Sequence, residues 1–315
     1  ANGVYGVSNL ASGNYRVTVN NGTLPNAVNT PTFDLDGTGT ADTADTTLAI
    51  SQNRTDVDFG YAGVGSLGDT VWYDIDNSGG ATKQPGEPGL PSVQVNVTWA
   101  GADNNLSTAA DNVTFTATTD SDGLYIANHL PYGNYDIAVV TADLPDGMTA
   151  TYDLDGTSSA SIATTLVSVG NPNRRDVDFS YTGTASLGDL VWEDKDANGA
   201  VNGTEAGIPN VTITVTWPGP DGTLGNADDV VRTTITDSNG GYLVDHLPAG
   251  NYRIAVDSAT VPTGMVAVYD LDGAATGNGD GVTRATLTDG QHRTDVDFGY
   301  QVDADLAITK THNAP

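Results

Sequence analysis

Apolar and polar residues alternate in short runs along most of this chain, and the runs come back at regular intervals. Val93, Val95 and Val97 alternate with polar neighbours, as do Val211, Ile213 and Val215, Tyr135, Ile137 and Val139, and Val57, Phe59 and Tyr61. Successive side chains of a strand point to opposite faces, so each run reads as a strand with one buried face. Gly, Pro, Asn and Asp separate the runs, and no helical periodicity persists for three turns. Many short strands at this spacing predict an all-β chain of tandem Greek-key β-sandwich domains, immunoglobulin-like or prealbumin-like, with antiparallel sheets. In Asp56-Val57-Asp58-Phe59-Gly60-Tyr61 the polar face sets two carboxylates side by side, which repel unless a cation or a donor sits between them.

The strands belong to a repeat. Ser66-Leu67-Gly68-Asp69 with Val71-Trp72 returns 120 residues later as Ser186-Leu187-Gly188-Asp189 with Val191-Trp192, and Trp99 returns as Trp217. Gly-Asn-Tyr occurs at 13–15, 133–135 and 250–252, and Asp-Leu-Asp-Gly at 34–37, 153–156 and 270–273. Arg54 to Tyr61 is echoed at Arg174 to Tyr181 and Arg293 to Tyr300. Complete repeats are expected at 66–182 and 186–301, and the second half of a repeat at 1–62. Residues 302–315 alternate like the opening strand of a further domain, or a linker strand. The chain reads as a window on a longer array. The missing half is expected from chain beyond this segment, with strand addition by a neighbouring subunit as the alternative.

One loop carries a specific chemistry. Asp194, Asp196, Asn198, Gly199 and Glu205 follow D-x-D-x-N-G-x5-E, the spacing of a twelve-position calcium loop. Alternate side-chain oxygens serve a hard cation, the Ala200 carbonyl adds another, and Glu205 closes the sphere with both oxygens. Gly199 sits where the chain must turn sharply. Asp74, Asp76, Ser78 and Gly79 match, but Glu87 comes two residues later than its counterpart. A second loop, Asp221, Thr223, Gly225, Asp228 and Asp229, with its counterpart Asp103, Asn105, Ser107 and Asp111, also offers alternate oxygens. It fits no standard template, and Asx turns account for it equally well. The Asp-Ser-Asp/Asn-Gly elements at 120–123 and 237–240 read as hairpin turns, and the Asp-Leu-Asp-Gly elements stay open.

Composition sharpens this picture. There are 40 Asp plus Glu against 11 Lys plus Arg, a net charge of -29. Nucleic acid, which needs a basic footprint, is excluded as a partner. There is no Cys to form disulfides and no apolar run long enough for a membrane span. All four Trp occupy repeated positions in apolar strands and are expected in the core rather than on a sugar-binding platform. Sequons at Asn21, Asn96, Asn112, Asn202 and Asn210 leave glycosylation open, although Asn96 falls in a predicted strand.

The run Ser-Leu-Gly-Asp-x-Val-Trp-x-Asp, the acidic loop after it and the following Glu-x-Gly resemble the B repeat of serine-aspartate-repeat bacterial surface proteins, relatives of the B-type domains of collagen adhesins. The resemblance implies calcium-stiffened β-sandwiches strung as a stalk on a cell surface or fibre, with several Ca²⁺ per complete repeat. It also implies an extracellular setting, with neighbouring repeats and like subunits of a fibre as partners. Many relatives carry a Lys–Asn isopeptide crosslink, but the only lysines here, Lys83, Lys195 and Lys310, lie in the acidic loops and the tail, which argues against one.

The function expected is therefore structural and non-enzymatic, with an adhesin module binding glycan or matrix protein as the alternative. Catalysis is disfavoured. His129 and His246 both precede Leu-Pro, which suggests loops; His292 and His312 sit in no recognisable motif, and no nucleophile elbow is present.

Overall fold

The computed structural model describes residues 3–273 and 279–303, so the tail from 304 onward, with Lys310 and His312, lies outside the described residues. The chain forms two compact units: Ala1–Asp74, Ser78–Leu144 and Ala150–Tyr181 make the first, and Ile75–Asn77, Pro145–Thr149 and Thr182–Pro315 the second. Apart from four short 3-10 turns, every described element is a strand.

In the first unit, Gly65–Tyr73 anchors a five-stranded sheet with Leu124–Leu130, Met148–Tyr152, Asn173–Arg174 and Phe179–Gly183. Gln94–Trp99, Val113–Thr118, Gly133–Val139 and Ile162–Val167 form a four-stranded sheet. Residues near the start add two two-stranded sheets, Gly13–Thr18 with Thr43–Leu48 and Val28–Phe33 with Gly60–Gly63. In the second unit the same plan recurs, with a five-stranded sheet anchored by Ala185–Glu193 and a four-stranded sheet led by Thr212–Trp217.

The alternation does what the sequence pattern implies from residue 93 onward, whereas Val57, Phe59 and Tyr61 are only half-buried and 56–59 forms no strand. Val93, Val95, Val97, Tyr135, Ile137, Val177, Phe179 and Tyr181 are buried, as are Val211, Ile213, Val215, Tyr252, Ile254, Val296, Phe298 and Tyr300. Trp72, Trp99, Trp192 and Trp217 are buried with them, as expected of core residues. The repeated Gly-Asn-Tyr is a structural device. Each tyrosine hydroxyl donates to the carbonyl four residues earlier, Tyr15 to Ala11, Tyr135 to Pro131 and Tyr252 to Pro248, each at 2.6 Å. The buried rings of Tyr135 and Tyr252 thus keep their polar ends satisfied while they brace the preceding turn, and half-buried Tyr15 repeats the bond.

Two features depart from the sequence reading. The four-stranded and two-stranded sheets are antiparallel, but the two five-stranded sheets are mixed. Asn173–Arg174 and Phe179–Gly183 run parallel to Gly65–Tyr73, and His292–Arg293 and Phe298–Val302 run parallel to Ala185–Glu193. The chain crosses from the four-stranded sheet back to the five-stranded one before these strands, and such a crossover permits parallel pairing where a hairpin does not. His129 and His246 lie within strands rather than in loops, with φ of 60° and 55°. Pairing between Gly65–Tyr73 and Leu124–Leu130 passes from Leu130 to Asn128, so His129 is the extra residue of a β-bulge.

Candidate metal centre

The 74–87 and 194–205 loops leave the ends of the anchoring strands, and each start is pinned by backbone. The Asp74 amide donates to the Tyr181 carbonyl and the Asp194 amide to the Tyr300 carbonyl, both at 2.8 Å. Both aspartates are at most 1% exposed. Their carboxylates fold the loop back on itself. Asp74 accepts from the Ser78 amide at 3.0 Å and the Gly79 amide at 2.9 Å, and Asp194 accepts from Asn198 at 3.1 Å and Gly199 at 2.9 Å. Gly79 and Gly199 take φ of +65° and +73°, the left-handed conformation a sharp turn needs. Asn198 Oδ1 accepts from the Ala200 amide, and the Ala200 carbonyl accepts from Asn202 Nδ2.

The closing glutamates are positioned alike in both loops. Glu87 Oε2 accepts from the Gln84 amide at 2.7 Å, and Glu205 Oε2 from the Asn202 amide at 2.9 Å, each three residues upstream. Glu205 Oε1 also accepts from the Lys195 amide. Gln84 thus stands where Asn202 does, and the two extra residues of the longer loop fall between Gly79 and Gln84. The insertion bulges without displacing the glutamate. Asp74, Asp76 and Glu87 each offer an oxygen within 4.8 Å of the others, and so do Asp194, Asp196 and Glu205. Like charges this close cost about 1 kcal/mol per pair in water and several times that at a partly buried site. An all-oxygen donor set of this kind fits a hard divalent cation, and would hold it through the three carboxylates, with Ser78 or Asn198 and the Ala200 carbonyl at the positions between.

The second loops are built differently. Asp103 Oδ1 caps the Asn105 amide, Asn105 Oδ1 caps Ser107, and Asp111 Oδ2 accepts from the Ala102 and Asp103 amides. Asp221 Oδ1 caps the Thr223 amide and Asp229 Oδ2 the Gly225 amide. The Asp103, Asn105 and Asp221 bonds are Asx turns, those of Asp111 and Asp229 close the loop from its far end, and among the described residues neither second loop gathers three acids within 4.8 Å. The 120–123 and 237–240 elements are turns of the same kind, with Asp120 capping Asp122 and Leu124, and Asp237 capping Asn239 and Gly241.

The paired carboxylates just before the closing strands Phe179–Gly183 and Phe298–Val302 find donors. Arg174 clasps Asp176 through two bonds of 2.7 and 2.8 Å, Arg293 clasps Asp295 likewise, and Arg54 reaches Asp56 in the same way. Asp178 and Asp297 accept the Thr70 and Leu190 amides at 3.0 and 2.9 Å. Burial pushes Asp178 up to about 7 and Asp297 to about 6, the amides pulling the other way. Lys83 and Lys195 donate to the carbonyls of Asp122 and Thr204. His292 Nδ1 lies 2.8 Å from Ser186 Oγ, but Asn173 takes the same place against Ser66 at 2.7 Å, so the contact belongs to the repeated strand pairing.

The sequence reading left the Asp-Leu-Asp-Gly elements open; their first residues Asp34, Asp153 and Asp270 are buried. Their threefold recurrence was the available signal.

A family model, the SdrD B-like domain, matches residues 65–178 and 185–300. Serine-aspartate repeat-containing protein F of Staphylococcus epidermidis is 31% identical over 95% of this chain and 17% of its own length. Serine-aspartate repeat-containing protein D of Staphylococcus aureus is 28% identical over 89% of this chain and 20% of its own length. The chain thus spans about a fifth of the curated relatives it matches. Among solved structures, a minor pilin of Streptococcus agalactiae is similar at 15% identity and a TM-score of 0.30, covering 79% of this chain and all of the pilin. With both matched stretches falling on the units that carry the acidic loops, the chain belongs to the SdrD B-like domain family, a family of repeat domains rather than enzymes.

Proposed function

We propose that this chain is a calcium-stiffened, non-enzymatic segment of an extracellular stalk, surface protein or fibre. Its proposed organisation is the second half of one repeat at 1–62, complete repeats at 66–182 and 186–301, and the start of a further β domain or a linker strand at 302–315. The observation that carries the reading is the convergence of three carboxylates in each of two equivalent loops, within 4.8 Å despite their different lengths. A cation there ties the end of the first strand of a repeat to the loop that follows, and anything bound only by the folded state stabilises it by mass action. In the first unit, Gly60–Gly63 passes to Gly65–Tyr73 through Val64 alone, and the Tyr132 amide donates to the Asn26 carbonyl, so the half repeat adjoins the next without a slack linker. The ligands proposed are Asp74, Asp76, Ser78 and Glu87, and Asp194, Asp196, Asn198, Ala200 and Glu205. The second loops, with Asp103, Asn105, Ser107, Asp111, Asp221, Thr223, Gly225, Asp228 and Asp229, are proposed as weaker sites that bind only if their Asx turns reopen.

Calcium titration of the full chain by calorimetry tests this. Tight binding is expected at the two first loops, and Asp194→Ala should abolish one of them while leaving the other. Absence of calcium binding, or binding indifferent to Asp194→Ala and Asp74→Ala, would overturn it.

A further inference from the structure

Asn-Gly occurs six times, at 2–3, 21–22, 198–199, 202–203, 239–240 and 278–279. In this dipeptide an asparagine side chain is readily attacked by its own backbone, because no Cβ shields the amide nitrogen that follows. That nitrogen must first give up its proton and then swing toward the side-chain carbonyl carbon. An amide that donates a hydrogen bond, or a glycine wedged against its neighbours, resists both movements. Asn2 and Asn278 lie outside the described residues, and the other four pairs are not treated alike.

The Gly199 amide donates to Asp194 Oδ2 at 2.9 Å, and a Cβ there would lie 2.6 Å from the Tyr269 ring. The Gly240 amide donates to the Asp237 carbonyl at 3.1 Å, and its residue is buried, with the Cβ position 2.4 Å from the Val191 carbonyl. The Gly22 amide donates to Asn20 Oδ1 at 3.2 Å inside the 3-10 turn Asn21–Thr23. Of the four, only the Gly203 amide donates to nothing among the described residues. Gly203 is exposed, with open space where a Cβ would stand. Asn202 is exposed as well, in a turn that seats Glu205: its amide donates to Glu205 Oε2 at 2.9 Å, and its carbonyl accepts from the Glu205 amide at 3.1 Å. The first repeat supplies a contrast. Gln84 makes the same two bonds with Glu87, at 2.7 and 3.2 Å, but the next residue is Pro85. Proline has no N–H to lose, so its nitrogen cannot attack.

We propose that Asn202 is a site of spontaneous modification, in which the Gly203 nitrogen closes on the Asn202 side chain, so that the acidic loop of the second repeat ages and that of the first does not. Hydroxide removes the Gly203 amide proton. The nitrogen forms a bond to Asn202 Cγ, the bond from Cγ to Nδ2 breaks, and ammonia leaves with a proton drawn from water. Water then adds to one of the two imide carbonyls and opens the succinimide ring to aspartate or isoaspartate. Nothing is oxidised or reduced. Both products carry a new negative charge three residues before Glu205, and isoaspartate also adds a methylene to the main chain of the turn that seats it. The site stands whether or not either acidic loop binds a cation.

Peptide mapping of the full chain by mass spectrometry, after incubation in mildly alkaline, calcium-containing buffer, tests the assignment. Chromatography that separates isoaspartate from aspartate identifies the products. Asn202 is expected to convert at least about fivefold faster than Asn21, Asn198 and Asn239, the rate equivalent of one net hydrogen bond, while Gln84 stays intact. In denaturant the four steps should convert at similar rates, because only the fold separates them. Retention of Asn202, or conversion of all four at one rate in the folded chain, overturns the proposal. A lead for Asn202 that persists unchanged in denaturant overturns it too, since local sequence alone would then set the rate. Amide hydrogen exchange reads the ageing of the loop. Faster exchange at 194–205 in the converted chain, with 74–87 unchanged, is expected, and equal exchange before and after conversion overturns that part. Asn202→Gln, which gives the second repeat the residue of the first, should abolish both the products and the change in exchange; a change in exchange that survives this substitution overturns the link between them.

Discussion

Gly199 concentrates three demands on one residue: a φ of +73°, a position at the turn of the 194–205 loop, and a neighbour so close that a Cβ would lie 2.6 Å from the Tyr269 ring. That ring packs on Trp192 at 5.3 Å between centroids, so the loop is seated on an aromatic pair of the core. Gly203 has a similar φ of +55° but open space around it. Gly199→Ala is therefore expected to cost about 1–2 kcal/mol for the left-handed backbone plus about 1–3 kcal/mol for overpacking, and Gly203→Ala the first contribution only. Chemical denaturation of the two variants checks the difference; equal costs would mean the loop is not seated on Tyr269. The glycine was legible in the sequence because the calcium-loop spacing names it. Its contact with Tyr269 was not, because seventy residues separate the two and only folding brings them together. The insertion before Glu87 teaches the same lesson. Counting positions sets the glutamate out of register, whereas its bond to the Gln84 amide restores it.

The closing segment at 174–181, between and into the strands Asn173–Arg174 and Phe179–Gly183, shows what alternation foretells and what it leaves out. Its apolar face and its paired carboxylates follow from period two, but the partners do not: Arg174 reaches back to Asp176 and the Thr70 amide reaches across to Asp178. The parallel pairing with Gly65–Tyr73 and the bulge at His129 were equally hidden, since pairing direction and register depend on which strand lies alongside. Asp178 has a measurable consequence. With its folded pKa raised by burial to about 7, against about 3.9 in the unfolded chain, the folded state binds the extra proton between those values. Its contribution to stability therefore falls as pH rises from about 4 to about 7 and is constant above. Asp178→Asn keeps the acceptor for the Thr70 amide without the charge. Its melting temperature should exceed that of the parent at pH 7.5 and match it near pH 4; a constant difference across that range would contradict the burial of a charge here.

Across the whole molecule, an excess of acid with no disulfide leaves the described fold with a surplus of like charge, concentrated where Asp74, Asp76 and Glu87 and Asp194, Asp196 and Glu205 meet. Self-repulsion of this kind opposes compaction, and bound cations reverse its sign locally. The repeat period, the sandwich class and the two acidic loops could all be read from residue order, because each is a local pattern repeated. The grouping into two units and the burial of Asp34, Asp153 and Asp270 depend on packing, which only the folded chain reveals. The central claim is that calcium is part of the fold. Thermal unfolding of the full chain at constant ionic strength, in calcium and in chelator, tests it most directly. At calcium one hundred times Kd each site contributes about 2.7 kcal/mol, so the account predicts a melting temperature higher in calcium by on the order of 5–10 °C per occupied loop, lost in the Asp74→Asn/Asp194→Asn double variant. The same melting temperature in calcium and in chelator would contradict it.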